Sequence, residues 1–256
     1  MKAYRLILLL FFAVSFHQVQ SQSFGSLKFD TYFSEYSKLE HALSQNTIHC
    51  LMQDSRGFIW IGTWDGLNRF DGYDFKIFRQ DPDNPGKGLS NQSVNDLVED
   101  IHGNIWVATD KGLNKYNYKN RTFKSYFYSF VNENSLPSDS ISCLASDSKG
   151  RVWIGTSRGL CVFNSKTETF VSYYHNPYNK ATIPSNLIND LSIDGNTLWI
   201  GTNKGLAAMN IETGKISVYN SSVCPEMQCE HIYELLPHNN DTLFVGSRYG
   251  FAVFNT

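Results

Sequence analysis

Apolar and polar residues alternate along this chain in short runs, and one pattern of them recurs five times. The pentapeptide IWIGT at residues 59–63 returns with small changes four more times before the end of the chain. The aromatic residues at its second position are 45 to 47 residues apart: Trp60, Trp106, Trp153, Trp199 and Phe244. A fixed period of this length is the signature of a repeat architecture.

Each repeat predicts four short strands, which we call a, b, c and d. An apolar segment such as residues 47–53 predicts strand a, and the Trp-containing segment predicts strand b. A Gly-Leu or Gly-Phe segment predicts strand c, and a further segment such as residues 121–127 predicts strand d. Turns rich in Asp and Gly separate them, because Asp caps its own backbone and Gly adopts positive φ. Four strands per unit are typical of a β-propeller blade.

The predicted fold is therefore all-β, a propeller of about five four-stranded blades within residues 23–256. The last repeat ends at strand c, while residues 27–33 near the N-terminus have the pattern of a strand d. We expect the blades either to be closed by this N-terminal strand or to form an open arc. Closure would remove exposed sheet edges.

The repeated aromatic residues are predicted to pack between adjacent blades, where each ring buries about 150–250 Å². A role as sugar-stacking platforms is the alternative. The glycine of each IGT is expected to let two backbones approach closely. One Asp recurs in the turn between strands a and b, and we interpret these residues as turn formers rather than as catalytic acids: Asp54, Asp100, Asp147 and Asp194.

Composition narrows the function classes. Of 256 residues, 41% are hydrophobic and 14% aromatic, so the chain is too apolar to be disordered. The formal net charge is −2, which argues against a nucleic-acid partner because such a protein carries a basic face. No cofactor motif is present.

Residues 1–22 have the layout of a secretory signal peptide. Lys2 and Arg5 precede an apolar run at residues 6–16, which is too short for a membrane span of about 20 residues. We therefore expect a periplasmic or secreted protein with no membrane span in this chain.

An exported protein permits disulfides, and Cys224 and Cys229 form a candidate pair, with unpaired thiols as the alternative. Cys50 and Cys143 occupy one repeat position and are predicted to be small buried apolar residues. No cysteine or histidine spacing predicts a metal site.

The recurring Asp, Gly, Trp, Gly and Gly-Leu positions, in register behind a signal peptide, resemble the two-component regulator propeller repeats. These are similar to the periplasmic sensor regions of hybrid two-component systems of Bacteroidetes. The resemblance covers residues 27 to 256. It implies a sensor that binds an oligosaccharide and regulates polysaccharide utilisation, and that is not itself an enzyme. Any kinase activity would belong to further domains, and a homodimer or association with further propeller and kinase domains is implied.

A candidate binding face contains the b–c loops and the longer d–a loops, because variable loops on a rigid scaffold often build binding sites. Aromatic rings there suit sugar stacking, and cations suit an anionic glycan. Solvated loop charges are the alternative interpretation. The candidate ligand-binding residues are those of the b–c loops: Trp64, Asp65, Lys111, Arg158, Lys204, Arg248 and Tyr249.

Two other functions stay open. A secreted carbohydrate-active enzyme, a lyase or hydrolase, would need two carboxylates about 5–10 Å apart, and no acidic pair outside the repeat stands out. A protein-interaction scaffold could use one face of the propeller, since the fold alone does not determine function.

Overall fold

A computed structural model describes residues 31–34, 42–84, 86–220, 230–238 and 242–255. The described residues from Tyr32 onward form one compact unit. The predicted signal peptide and the candidate Cys224–Cys229 pair lie outside the described residues. Throughout the described ranges, every regular element longer than a turn is a β-strand.

The nineteen strands form five antiparallel sheets in chain order, one per sequence repeat. Blade 1 contains β1 (Ile48–Gln53), β2 (Ile59–Thr63), β3 (Gly66–Phe70) and β4 (Phe75–Phe78). Blade 2 contains β5 (Val94–Glu99), β6 (Ile105–Thr109), β7 (Gly112–Asn117) and β8 (Thr122–Tyr126). Blade 3 contains β9 (Ile141–Ser146), β10 (Val152–Thr156), β11 (Gly159–Asn164) and β12 (Thr169–Tyr173). Blade 4 contains β13 (Ile188–Asp194), β14 (Thr197–Thr202), β15 (Gly205–Asn210) and β16 (Ile216–Tyr219). Blade 5 contains β17 (Ile232–His238), β18 (Thr242–Ser247) and β19 (Gly250–Asn255). The prediction of about five blades is confirmed.

The a strands hold neighbouring blades together. Each contacts the a strand of the next blade, from β1 through β5, β9 and β13 to β17. In blades 1 to 4, the side chain at the second position of the a strand binds the carbonyl oxygen of the first residue of the next a strand. Asn95 Nδ2 donates to Ile141 O at 2.8 Å, and Asn189 Nδ2 donates to Ile232 O at 2.7 Å. His49 and Ser142 make the corresponding bonds in the other blades.

The repeated Trp side chains are buried between blades, as the sequence predicts, whereas Phe244, predicted to pack in the same way, is only half-buried and stacks on His238 of its own blade. Trp106, for example, lies in one core cluster with Ile141, Leu144 and Phe163 of blade 3. The recurring Asp also contributes, because its carboxylate accepts a hydrogen bond from the indole six residues later. This Asp–Trp distance is 2.8 Å in blades 1 and 2 and 3.3 Å in blade 3. Asp54, Asp100 and Asp147 are turn formers, as predicted, and also partners of the interface Trp, whereas Asp194 is the last residue of β13.

The role predicted for the IGT glycine is wrong in one respect. A Cβ on Gly155 would overlap Sγ of Cys143 and lie 2.7 Å from Cγ2 of Ile188 in the next blade. The glycine therefore makes room for side chains, not for a second backbone. Cys143 is buried as predicted, whereas Cys50, at the same repeat position, is only half-buried.

The two ends of the blade series leave apolar faces exposed. Leu51 in blade 1 and Phe251 in blade 5 are 64% and 70% exposed. Residues 31–34, at the end of the predicted N-terminal strand, are not in a strand, and Tyr32 packs against Phe70 and Phe75 of blade 1. Of the two expected arrangements, these exposed faces agree with the open arc.

Candidate functional site

The b–c loops and d–a loops lie together on one face of the blades, which we call the loop face. Backbone hydrogen bonds join the two loop types: Gly112 N donates to Asp139 O at 2.7 Å, and Ser157 N donates to Ser140 O at 3.1 Å. The a–b and c–d turns lie at the other ends of the same antiparallel strands, so they form the opposite face. This is the arrangement that the strand order predicts.

A repeated clamp fixes the backbone of each b–c loop. The hydroxyl of Thr156 donates to Gly159 O at 2.7 Å and accepts the N–H of Arg158 at 3.0 Å. Gly159 has φ of 138°, a conformation that favours glycine. The same Thr–Gly clamp closes the loops of blades 1, 2 and 4, and Ser247 replaces the Thr in blade 5. The two residues between Thr and Gly are thus free to vary on a fixed backbone.

The four candidate cations on this face are exposed and unpaired. The four cations are Lys111, Arg158, Lys204 and Arg248. Among the residues that the structure describes, no carboxylate lies within ion-pair distance of any of these four side chains. They occur at equivalent or adjacent positions of consecutive blades and therefore follow one another along the loop face. Asp65 differs, because Nη2 of Arg79 binds its carboxylate at 2.9 Å and neutralises it.

Two aromatic candidates are also on the loop face. Trp64 is 59% exposed and meets the ring of His49 edge-on, with ring centroids 5.1 Å apart. Tyr249 is exposed to the same extent in blade 5. Exposed rings of this size offer flat surfaces for stacking.

One pocket on the loop face was not identified from the sequence, although its loop was. The d–a loop after β12 and strand β16 enclose about 360 Å³. Asn176 and Asn179 line it beside Lys180 and Thr182. Each Asn side-chain oxygen accepts a backbone N–H, at 2.9 Å and 3.0 Å, which leaves the amide NH₂ groups as donors. Donors of this kind suit the hydroxyl groups of a sugar.

A second cavity of about 350 Å³ lies between the a strands and contains the carboxylates of Asp96, Asp190 and Glu234. Asp96 Oδ2 accepts Leu144 N of the next blade at 2.7 Å, and Asp190 Oδ2 accepts Leu235 N at 2.6 Å. Burial raises the pKa of Asp96 to about 6 and the pKa of Asp190 to about 7. Aligning the third residue of each a strand would have found these residues, since an acidic group stands there in three blades.

Asp96 and Asp190 of this cavity each connect two blades. Both oxygens of Asp96 accept backbone N–H groups, and the same is true of Asp190. Burial also raises the pKa of Cys143 well above its usual value, which makes the thiol unreactive. No group of His, Cys, Asp and Glu with metal-binding geometry occurs in the described ranges. None of the predicted loop-face residues lines either cavity.

Within the part of the chain that the structure covers, no helix has the length and hydropathy needed to cross a membrane.

The fold is similar to solved extracellular domains. One, from a protein described as a hybrid two-component system of B. thetaiotaomicron, superposes with a TM-score of 0.72 at 25% identity, covering 88% of this chain and 31% of that one. Another, from a protein described as a one-component system of the same organism, has a TM-score of 0.65 at 23% identity and covers 82% and 30%. Their extracellular location is consistent with the predicted one.

A short segment also resembles a curated relative, histidine kinase P4 of Formosa agariphila. The two are 42% identical over 52 residues, which is 20% of this chain and 4% of the kinase. The chain thus spans less than a third of the solved domains and a small part of the kinase.

Three segments of the chain, residues 42–65, 88–111 and 135–158, match the model of the two-component regulator propeller family. Each covers strands a and b and the following b–c loop of one blade. These matches confirm the resemblance seen in the motif, since three of the five repeats match two-component regulator propeller repeats.

Proposed function

We propose that this chain is the ligand-binding part of a periplasmic or extracellular sensor, and that its loop face binds an anionic oligosaccharide. The observation that carries the proposal is the row of exposed, unpaired cations in blades 2 to 5. The b–c loops carry two acidic residues, Asp65 and Asp110. Arg79 and Asn95 hold these two carboxylates.

The chemistry of the face fits a chain of sugars with repeated acidic groups. Arg158 and Arg248 can each form two parallel hydrogen bonds to a carboxylate or sulfate. Trp64 offers a ring for stacking at one end of the row, and the pocket at Asn176 and Asn179 offers amide donors for hydroxyl groups. The Thr–Gly clamps hold the loops in place before binding, which lowers the entropic cost of association.

The sensor role is supported by the relatives, whose printed descriptions are of two-component systems and a histidine kinase. In this proposal the propeller does no chemistry itself. A bound oligosaccharide would be reported to kinase and regulatory domains outside this chain, which would then control genes for polysaccharide use.

Isothermal titration calorimetry with oligosaccharides of matched length tests the ligand class. We expect oligouronates or sulfated oligosaccharides to bind more tightly than neutral ones, and added salt to weaken that binding. Equal affinity for charged and neutral sugars, or no binding of either, contradicts the proposal. Shortened products in the cell after titration would favour a carbohydrate-active enzyme instead.

A pair of charge-matched variants tests the location. Replacing Arg158 and Lys204 with Gln removes two cations from the loop face. Each lost charge-assisted hydrogen bond is worth about 1.5 kcal/mol, so Kd should rise by roughly tenfold per cation. The control replaces Lys119 and Lys166, which are exposed in c–d turns on the opposite face, also with Gln. Equal losses in both variants would show a general charge effect and not a loop-face site.

A further inference from the structure

Three cations lie close together at the outer edge of blades 1 and 2, on the face opposite the loop face. Arg69 of β3 and Lys76 of β4 are partners across the two strands, and Arg121 precedes β8 in the c–d turn of blade 2. Burial, and after it the charges of Arg69 and Arg121, lower the pKa of Lys76. Among the residues that the structure describes, none of the three lies within ion-pair distance of a carboxylate. We call this group of three residues the cation cleft.

The next interface, between blades 2 and 3, has the same geometry but includes a carboxylate. Lys124 of blade 2 is the equivalent of Lys76. Each ammonium group lies over the aromatic ring two residues later, 5.1 Å from the Phe78 centroid in blade 1 and 5.3 Å from the Tyr126 centroid in blade 2. Nζ of Lys124 then lies 2.5 Å from Oε2 of Glu168, in the c–d turn of blade 3. At this interface the following blade therefore neutralises the lysine.

Arg121 occupies in blade 2 the position that Glu168 occupies in blade 3. Both residues immediately precede strand d, and their φ angles are 54° and 53°. The ring two residues after each of them packs against a ring of the preceding blade, with centroids 5.3 Å and 5.6 Å apart. The backbone therefore directs Arg121 toward Lys76 as it directs Glu168 toward Lys124, but the charge it brings has the opposite sign.

Arg69 adds a third positive charge that is fixed in place. Its Nε atom is buried and has no hydrogen-bond partner in the described part of the chain. Its Cζ atom lies 4.4 Å from the centroid of the Phe58 ring, so the guanidinium group stacks on an aromatic face. A cation held in this way is preorganised, which lowers the entropic cost of binding an anion.

We propose that the cation cleft binds a divalent tetrahedral oxyanion, sulfate or a phosphate, between Arg69, Lys76 and Arg121. The anion takes the place that the Glu168 carboxylate has at the next interface. Three cations exceed the charge of one carboxylate, whereas a tetrahedral dianion presents a separate oxygen to each of them. The cleft lies opposite the loop face, so this site is independent of the oligosaccharide site proposed above. A bound anion joins blades 1 and 2 as the Lys124–Glu168 pair joins blades 2 and 3.

Isothermal titration calorimetry at pH 8, with the ionic strength held constant by sodium chloride, tests the ligand class. The probes are sodium sulfate, inorganic phosphate and glycerol phosphate, with sodium acetate as the monovalent comparison. We expect each dianion to bind at one site, at least roughly tenfold more tightly than acetate. Inorganic phosphate and glycerol phosphate distinguish a free ion from a phosphate ester as the preferred ligand. Absence of sulfate and phosphate binding, or acetate binding of equal strength, overturns the proposal.

A charge-reversal variant and its matched control test the location. Arg121→Glu supplies Lys76 with the carboxylate that Glu168 supplies to Lys124, so sulfate should bind more than roughly tenfold more weakly. Glu168 adopts the same φ, so circular dichroism should show the variant folded, and its Tm without sulfate should be higher than that of the wild type. Lys166→Glu makes the same change of charge in the c–d turn of blade 3 and should bind sulfate like the wild type. Undiminished sulfate binding by Arg121→Glu, or an equal loss in both variants, overturns the proposal.

Discussion

Replacing Trp106 with alanine should destabilise the fold strongly, because this side chain joins two blades. Its ring centroid lies 4.8 Å from that of Phe163 in blade 3 and 5.8 Å from that of Tyr126. Its indole N–H donates to Asp100 Oδ2 at 2.8 Å. A buried Trp→Ala change costs about 3–5 kcal/mol through lost transfer free energy and the cavity that remains. We expect a loss of that size in the free energy of unfolding.

Urea denaturation followed by circular dichroism measures this loss, and two further variants separate its causes. Trp106→Phe keeps an aromatic ring but removes the hydrogen bond to Asp100, so it should cost less than the alanine variant, about 1–3 kcal/mol. Trp64→Ala removes an exposed ring from the loop face and should change stability by no more than about 0.5 kcal/mol. If Trp106→Ala were no more costly than Trp64→Ala, the packing role of the repeated Trp would be refuted.

Two other predictions concern the blade interior. Gly155→Ala should cost about 1–3 kcal/mol in the same urea assay, because the new methyl group overlaps Cys143, whereas Gly86→Ala, with nothing closer than 3.9 Å, should be nearly neutral. Burial raises the pKa of Asp190 to about 7, above its value near 4 in the unfolded chain, so the folded state binds the extra proton. Stability should therefore fall as pH rises from about 4 to 7, and Asp190→Asn should flatten that slope; an unchanged slope contradicts this assignment.

The strands were predictable because each one coincides with a sequence segment that recurs in every repeat. The second strand of blade 1 begins and ends with the IWIGT motif, at Ile59 and Thr63. The burial of the Trp residues and the turns at Asp54 and its equivalents followed from the same periodicity. A residue type that recurs in each blade therefore indicates a packing or turn role that all blades share.

Features that depend on one blade meeting another were harder to predict. The bond from Leu144 N to Asp96 joins residues 48 positions apart, and no local pattern distinguishes it from an exposed acidic residue. The predicted role of Gly155 was wrong for the same reason, because the side chain of Ile188 beside it comes from the next blade. The exposure of Leu51 and Phe251 depends on whether another apolar surface packs against them, which no local pattern shows.

The candidate site was predictable as a face but not as a pocket. The b–c residues such as Arg158 and Lys204 differ between repeats whose flanks do not, and this contrast marks them in the sequence. Whether these cations pair with a carboxylate depends on which side chains lie near them in the folded protein, and the sequence alone does not show that. The pocket at Asn176 and Asn179 depends on the path of a long loop, which has no repeat to define it.

Hydrogen exchange with and without an oligouronate shows directly which loops the ligand contacts. Binding at the loop face should slow the exchange of backbone amides in the b–c loops, at residues 110–111, 157–158 and 203–204, and in the adjoining d–a loop at 174–187. The c–d turns at 118–121 and 164–168 on the opposite face should be unchanged. Slower exchange confined to those turns, or no change anywhere at saturating ligand, would rule out a binding site on the loop face.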